Sequence, residues 1–254
     1  METGILGKSG IEVSRLCFGT GTNGWSGRSN QTDLGLDELA ELLAYAHGRG
    51  VTFWDAADQY GSHAHVKMGL EIVGRDTVVV TTKTTSREKL EVAADIDRFL
   101  SELGTDYVDI VLLHCMTSSD WPTRYRGAMD ALEEAKTAGK IQAHGVSCHD
   151  YGAFQQAARQ SWVDVVLARI NYGGYSMDGT PEEITDILHE MDAADIGVYG
   201  MKVVGAGKLG HDARNAIHYV LDLPPIDAIT LGMKSRQEVD ENVGWVEEHA
   251  GVVA

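Results

Sequence analysis

Eight short apolar runs, each followed by a stretch of helical period, predict an α/β fold built on a parallel sheet for this chain of 254 residues. Two more observations support the class. The runs are near-continuous in Val, Ile and Leu rather than alternating, as in strands whose faces are both covered. The length matches the ~250 residues of a single (β/α)8 barrel. Strand–helix alternation alone is shared with a doubly wound open sheet, so closure is not decided at this level.

The elements follow in order. Residues 4–6 and 12–13 flank the turn signal Lys8-Ser9-Gly10 and predict a hairpin capping the N-terminal end of the barrel. The strand segments are 16–19, 51–54, 77–82, 108–113, 141–146, 163–168, 196–201 and 226–231. Leu36, Leu39, Leu43 and Ala46 form an apolar stripe, and Gly48 and Gly50 close that helix. Ser86 reads as an N-cap, Ile96, Phe99, Leu100 and Leu103 as the buried face behind it, and Gly104 as the stop. Further helices are expected over 65–73, 125–138, 151–159, 182–194, 214–221 and 237–249. No linker or composition break interrupts the series, so 1–254 is read as one domain.

Bulk properties narrow the function. The net charge is −17 and no basic block occurs, which argues against nucleic acid or an anionic membrane as partner. Cys17, Cys115 and Cys148 are far apart and odd in number, which fits neither a disulfide framework nor a zinc site. No metal ligand set is expected. The N-terminus has no signal-peptide pattern and no apolar run approaches the ~20 residues of a membrane span. The expectation is a soluble cytoplasmic protein, a monomer or small homo-oligomer, acting on a small molecule.

Three consecutive strand ends deliver the chemistry. Asp55 follows the second strand and Tyr60 lies five residues on; Lys83 follows the third strand and His114 the fourth. In a barrel such ends converge on one face, where active sites of this fold form. A phenol has a pKa of ~10, and a nearby lysine cation would favour its ionised form. A carboxylate would hold that lysine, and a histidine at the fourth strand end can orient a carbonyl. Taken singly, Asp55 reads as a turn former, Tyr60 as a half-buried aromatic, Lys83 as a solvated strand end and His114 as a core histidine. Their placement on successive strands favours a site. Asp58 competes with Asp55, which is preferred for its adjacency to the strand.

The set Asp55, Tyr60, Lys83 and His114, within Trp54-Asp55-Ala56-Ala57-Asp58-Gln59-Tyr60-Gly61 and Leu112-Leu113-His114, resembles the catalytic tetrad of the aldo-keto reductases. The segments 6–14, Phe18-Gly19-Thr20-Gly21, Gly145-Val146-Ser147 and Glu241-Asn242 resemble that family too. The resemblance implies a (β/α)8 TIM barrel that transfers a hydride between NADPH or NADH and an aldehyde or ketone, with Tyr60 as proton donor. Consistently, no G-x-G-x-x-G opens a helix after the first strand.

By the same resemblance, Thr20 and Asp55 lie near the nicotinamide ribose and Ser147 holds the carboxamide. Cys148 stands where the family usually has asparagine, and Arg169 where many members have glutamine; neither accepts hydrogen bonds as an amide does. His149 is a possible compensation. Met201 replaces an aromatic ring against the nicotinamide face. Lys202, Gly205 and Gly207 suit a pyrophosphate, because glycine admits close backbone approach and lysine supplies charge. The remaining cofactor positions are Gly232, Met233, Lys234, Gln237, Glu241 and Asn242. Ser235 and Glu238 form an S-x-x-E capping box. Lys234 and Arg236 beside that helix N-terminus favour NADPH through its 2′-phosphate, whereas Glu238 opposes it.

For substrate, Trp25, Trp121 and Tyr172 are expected as aromatic walls, and the short segment after the last helix predicts an open pocket. Two other classes are weighed. A nucleotide-binding regulatory subunit would call for an apolar patch or an added segment. A Schiff-base lyase would need Lys83 neutral, which its pairing with Asp55 disfavours.

Overall fold

The alternation closes on itself. The structure, a computed structural model, describes residues 1–224 and 226–253. Strands β3 (Leu16–Gly19), β4 (Phe53–Asp55), β5 (Val79–Thr84), β6 (Val108–Met116), β7 (Ile141–Cys148), β8 (Val165–Arg169), β9 (Gly197–Met201) and β10 (Ala228–Gly232) pair in parallel, and β10 returns to β3. This is the expected (β/α)8 barrel, not the open sheet. The antiparallel pair β1 (Thr3–Ile5) and β2 (Glu12–Ser14) is the predicted N-terminal hairpin.

Around the sheet run α1 (Leu36–Gly48), α2 (His63–Val73), α3 (Lys89–Leu103), the one-turn α4 (Trp121–Arg124), α5 (Arg126–Thr137), α6 (Tyr151–Ala158), α7 (Pro181–Ala193), α8 (Ala213–Leu221) and α9 (Arg236–Val253). Strand periodicity of two sends alternate residues to opposite faces. Cys17, Phe53, Ile110, Leu112, Val165, Leu167 and Tyr199 fill the interior, and Leu6, Ile11 and Val13 of the hairpin seal its base. The intervening residues, among them Phe18, Trp54, Val111 and Val166, pack outward against the helices. Both faces are therefore apolar, which is why the strands read as unbroken runs.

Local signals were less secure. Ser86 is not an N-cap: α3 begins at Lys89, and the Ser86 amide instead donates to Thr84 Oγ1 at 3.0 Å. Ahead of α9 the Glu238 amide donates to Ser235 Oγ at 3.2 Å, as the S-x-x-E spacing expects, and a reciprocal capping box at Thr180 and Glu183 opens α7, with Pro181 in its first turn. Six of the eight barrel strands also run one to three residues past the expected ends. Strand β6 continues through His114 by way of a register break between Leu113 and Met116, with Cys115 at φ +60°.

Candidate active site

The C-terminal mouth of the barrel receives one polar group from each of three adjacent strands. Asp55 ends β4, Lys83 lies near the end of β5 and His114 sits in the extension of β6. Tyr60 comes from a single 3-10 turn, Asp58–Tyr60, directly after β4. Gly61 ends that turn at φ +65°, and a Cβ there would lie 2.0 Å from the Gly27 carbonyl oxygen. The ring is wedged in place by two more glycines, since a Cβ on Gly21 or Gly24 would fall 2.2 or 2.4 Å from ring carbons of Tyr60.

The four expected residues meet. Lys83 Nζ, fully buried, donates to Asp55 Oδ1 at 2.6 Å and to the Ala56 carbonyl at 2.8 Å. It also lies 4.8 Å from the Tyr60 ring centroid. His114 Nε2 is 3.5 Å from the Tyr60 hydroxyl, with the two rings edge to face. Asp58 is excluded as the lysine's partner, because it pairs with Arg98 at 2.8 Å.

Electrostatics correct one expectation. Tyr60 is held above, not below, the ordinary phenol value: burial dominates, and Lys83 opposes it only in part. Lys83 is raised despite burial, because Asp55 and then Tyr60 favour its charge. His114 is pushed down to about 2 by burial and by the neighbouring cations, Lys83 foremost, so its imidazole is neutral. The mouth therefore holds a protonated phenol, a charged lysine and an uncharged imidazole near neutral pH.

Beside the tetrad lies a cleft of about 550 Å³ that runs from Tyr60 and Asp55 to the start of α9. Met201, Lys202, Gly207, Gly232, Lys234, Glu241 and Asn242 line it, as expected. Backbone geometry makes the wall after β9: Lys202, Gly205, Ala206 and Gly207 all have positive φ, and the Gly205, Gly207 and Lys208 amides bond back within the loop to the Lys202, Val204 and Gly205 carbonyls. Gly205 itself packs against Tyr175 and Leu209. Thr20 is buried, its hydroxyl donating to the Asp55 carbonyl at 2.9 Å and lying 2.7 Å from Ser62 Oγ.

Other expected residues fall differently. Trp121 is fully buried: its indole N–H donates to the Ala153 carbonyl at 3.2 Å and it packs on Trp162, so it is no substrate wall. The short helix α4 turns it inward against Trp162. Cys148 is 1% exposed and continues the β6–β7 pairing opposite Met116, so its thiol is withdrawn from the mouth. The Met233 side chain is also in the core, leaving only its backbone to a ligand. Ser147 Oγ accepts the Cys115 amide at 2.9 Å and thereby pins the bulge that carries His114. His149 Nε2 lies 3.6 Å from Cys115 Sγ.

Arg169 pairs with Asp178 at 3.3 Å, while its Nε is buried without a partner among the described residues. Tyr172 is tied by its hydroxyl to Asp212 at 2.7 Å and joins two loops rather than lining the cleft. Trp25 is 55% exposed and bridges to Arg28 in the loop beside Tyr60. Gln237 is exposed and donates to Glu241 at 2.8 Å.

Two contributors escaped sequence reading. Tyr199 on β9 is fully buried and reaches Asp55 Oδ1 at 3.0 Å. An aromatic hydroxyl within an apolar strand was the available signal. Gln31 reaches back to Thr22, accepting its amide at 2.9 Å, and both line the cleft.

A closed parallel barrel with an acid–base cluster at its C-terminal mouth, beside a cleft, has the layout of a barrel enzyme. Its family follows from the match to the model of the Aldo/keto reductase family over residues 15–216: the chain belongs to that family. It is similar to L-galactose dehydrogenase of Arabidopsis thaliana, 24% identical over 98% of this chain and 89% of the relative. It is also similar to the NADH-specific methylglyoxal reductase of Escherichia coli, 27% identical over 65% of this chain, and spans only 57% of that protein. A putative aldo-keto reductase from Pseudomonas aeruginosa has the same fold, with a TM-score of 0.82 at 22% identity and coverage of 98% and 95%. So does an aldo-keto reductase from Bacillus halodurans in its holo form, with a TM-score of 0.79 at 22% identity and coverage of 97% and 91%. Family membership makes carbonyl reduction the general chemistry and a nicotinamide dinucleotide the class of cofactor.

Proposed function

We propose that the chain reversibly reduces aldehydes or ketones with a nicotinamide cofactor, using Tyr60 as proton donor. One observation carries the reading: a fully buried Lys83 sits between the Asp55 carboxylate and the Tyr60 ring, with His114 against the tyrosine hydroxyl. A carbonyl oxygen bound between Tyr60 and the neutral His114 is oriented by both. Tyr60 gives it the proton, and Lys83 offsets the phenolate charge that forms. In the reverse direction the phenolate takes the alcohol proton.

The residues fit a dinucleotide. The cleft of about 550 Å³ is lined by Lys202 and Lys234 and walled by the left-handed loop through Gly207, and Arg169 Nε is a buried donor without a partner among the described residues. Lys202 and the loop through Gly207 would hold the pyrophosphate, and Met201, Thr20 and Asp55 the nicotinamide end. The cofactor supplies the hydride. Ser147 Oγ accepts the Cys115 amide but keeps its own O–H to donate, so Ser147 stays a candidate for the carboxamide, with Arg169 Nε a further buried donor and the Cys148 thiol withdrawn.

At the adenosine end we favour NADH over the NADPH expected from Lys234 and Arg236. Glu238 accepts the Lys234 amide at 2.6 Å and so occupies the α9 N-terminus that a 2′-phosphate would use. Arg236 is turned away, 5.0 Å over the Tyr45 ring, and Glu238 and Glu241 face the cleft with Lys234. Two carboxylates against one ammonium disfavour a further dianion. The three cysteines are free, which suits the cytoplasm.

The test is cofactor absorbance against a panel of aldehydes, ketones and quinones, with NADH and NADPH, for wild type and Tyr60→Phe. The variant is expected to lose about 10²–10⁴-fold in kcat while still binding dinucleotide. Full activity of the variant refutes the proton-donor role. A higher kcat/KM with NADPH refutes the cofactor preference.

A further inference from the structure

Tyr199 is used by nothing described so far. It lies in the middle of β9, fully buried, its backbone opposite Leu167 on one side and Ala228 on the other. Its ring packs in the barrel interior 5.1 Å from Phe53. The surrounding interior is apolar apart from Cys17, Thr81 and Thr230, so a phenol hydroxyl there is stabilised by a partner. It finds Asp55 Oδ1 at 3.0 Å, the same oxygen that Lys83 Nζ approaches at 2.6 Å. The carboxylate is thus gripped from the mouth by lysine and from the barrel floor by tyrosine.

We propose that Tyr199 is a positioning residue for proton transfer, fixing the Asp55 carboxylate and dispersing its charge so that Lys83 stays effective toward Tyr60. The inference rests on the acid–base reading of Tyr60. A phenol in this position is a donor throughout the working range, because burial and then Asp55 push its ionisation well upward. Charge on Asp55 raises the Tyr60 phenol directly, in opposition to Lys83. A donor on Asp55 Oδ1 spreads that charge over a second partner, which weakens the unfavourable pull on Tyr60. The groups facing this centre are Cys17 from β3, Lys83 from β5, His114 and Cys115 from β6, and Tyr199 itself. Among them Lys83 is the cation, and it lies between the Asp55 carboxyl and the Tyr60 ring, so how firmly Asp55 is held governs how Lys83 acts on the Tyr60 proton.

Tyr199→Phe removes the oxygen and keeps the ring against Phe53, which separates the hydroxyl's role from simple filling of the barrel. The expected result is a fall in kcat of about three- to tenfold, the worth of one hydrogen bond. With it, the Tyr60-dependent limb of the pH–rate profile moves to higher pH by several tenths of a unit. A second readout needs no turnover: the side-chain resonance of Tyr60 in carbon-13-labelled protein, assigned by its loss in Tyr60→Phe, is titrated in wild type and Tyr199→Phe. A titration displaced upward in the variant supports the proposal. Superimposable Tyr60 titrations overturn it, even if kcat falls or the protein melts earlier, because a structural role alone leaves that titration in place. If the wild type reduces no carbonyl, the reductase reading fails while the resonance comparison still judges Tyr199.

Discussion

The two halves of the barrel mouth are built on opposite principles. On the β4–β6 side the charges are matched at close range: Lys83 binds Asp55 and Ala56, Tyr199 reaches Asp55 from β9, and His114 meets Tyr60, although His114 Nδ1 and Thr81 Oγ1 are buried without a partner among the described residues. On the β8–β10 side donors are left over and the backbone is held in left-handed turns, as at Arg169 Nε, Lys202 and Ala206. The first half is preorganised to act. The second is incomplete as it stands, and such strain and unspent polarity mark surfaces that a ligand completes. The reacting half therefore resists change in kcat only as a unit, whereas the binding half tolerates piecemeal change at the expense of affinity.

Lys83→Met attacks the first half hardest. It leaves Asp55 buried without its cation, so stability is expected to fall by about 3–5 kcal/mol in a urea melt. Turnover is expected to fall by about 100-fold or more, as the phenolate loses its counter-charge. A variant as stable as wild type would show that Asp55 is solvated and the unit is not closed.

Lys202→Ala probes the other half. Its side chain is half-buried and held below the ordinary lysine value by burial and then by Arg169, so it stands ready for an anion. The dinucleotide KM is expected to rise about tenfold, the worth of one charge-assisted hydrogen bond, with kcat little changed. A fall in kcat at constant KM would place Lys202 with the reacting half and erase the contrast.

The smallest effect is an absence of pH dependence. Reduction needs Tyr60 protonated, and its raised value keeps the proton as pH rises until the ordinary phenol range of about 10 is passed. His114, pushed down to about 2, adds no charge change on the acid side. The kcat for reduction is therefore expected to be flat from about pH 6 to 9, the range between ordinary histidine and phenol values. A descending limb near neutrality would mean that Lys83 outweighs burial at Tyr60.

What the sequence determined by itself was the series of elements and which four residues, Asp55, Tyr60, Lys83 and His114, come together at the mouth. Near-continuous strands and 3.6-residue stripes are local and repeat eight times, and Asp55, Lys83 and His114 sit at fixed places on successive strands. Closure into a barrel, the register break at Cys115 and the burial of Trp121 were decided by tertiary packing. So was Tyr199, whose partner lies 144 positions away in the chain. Periodicity reports which face of its own element a residue occupies; it carries nothing about which distant backbone or carboxylate will lie opposite. The same limit governs ionisation: the sequence supplied a lysine beside a tyrosine and implied a lowered phenol, but only the packed barrel sets burial against charge, and burial wins.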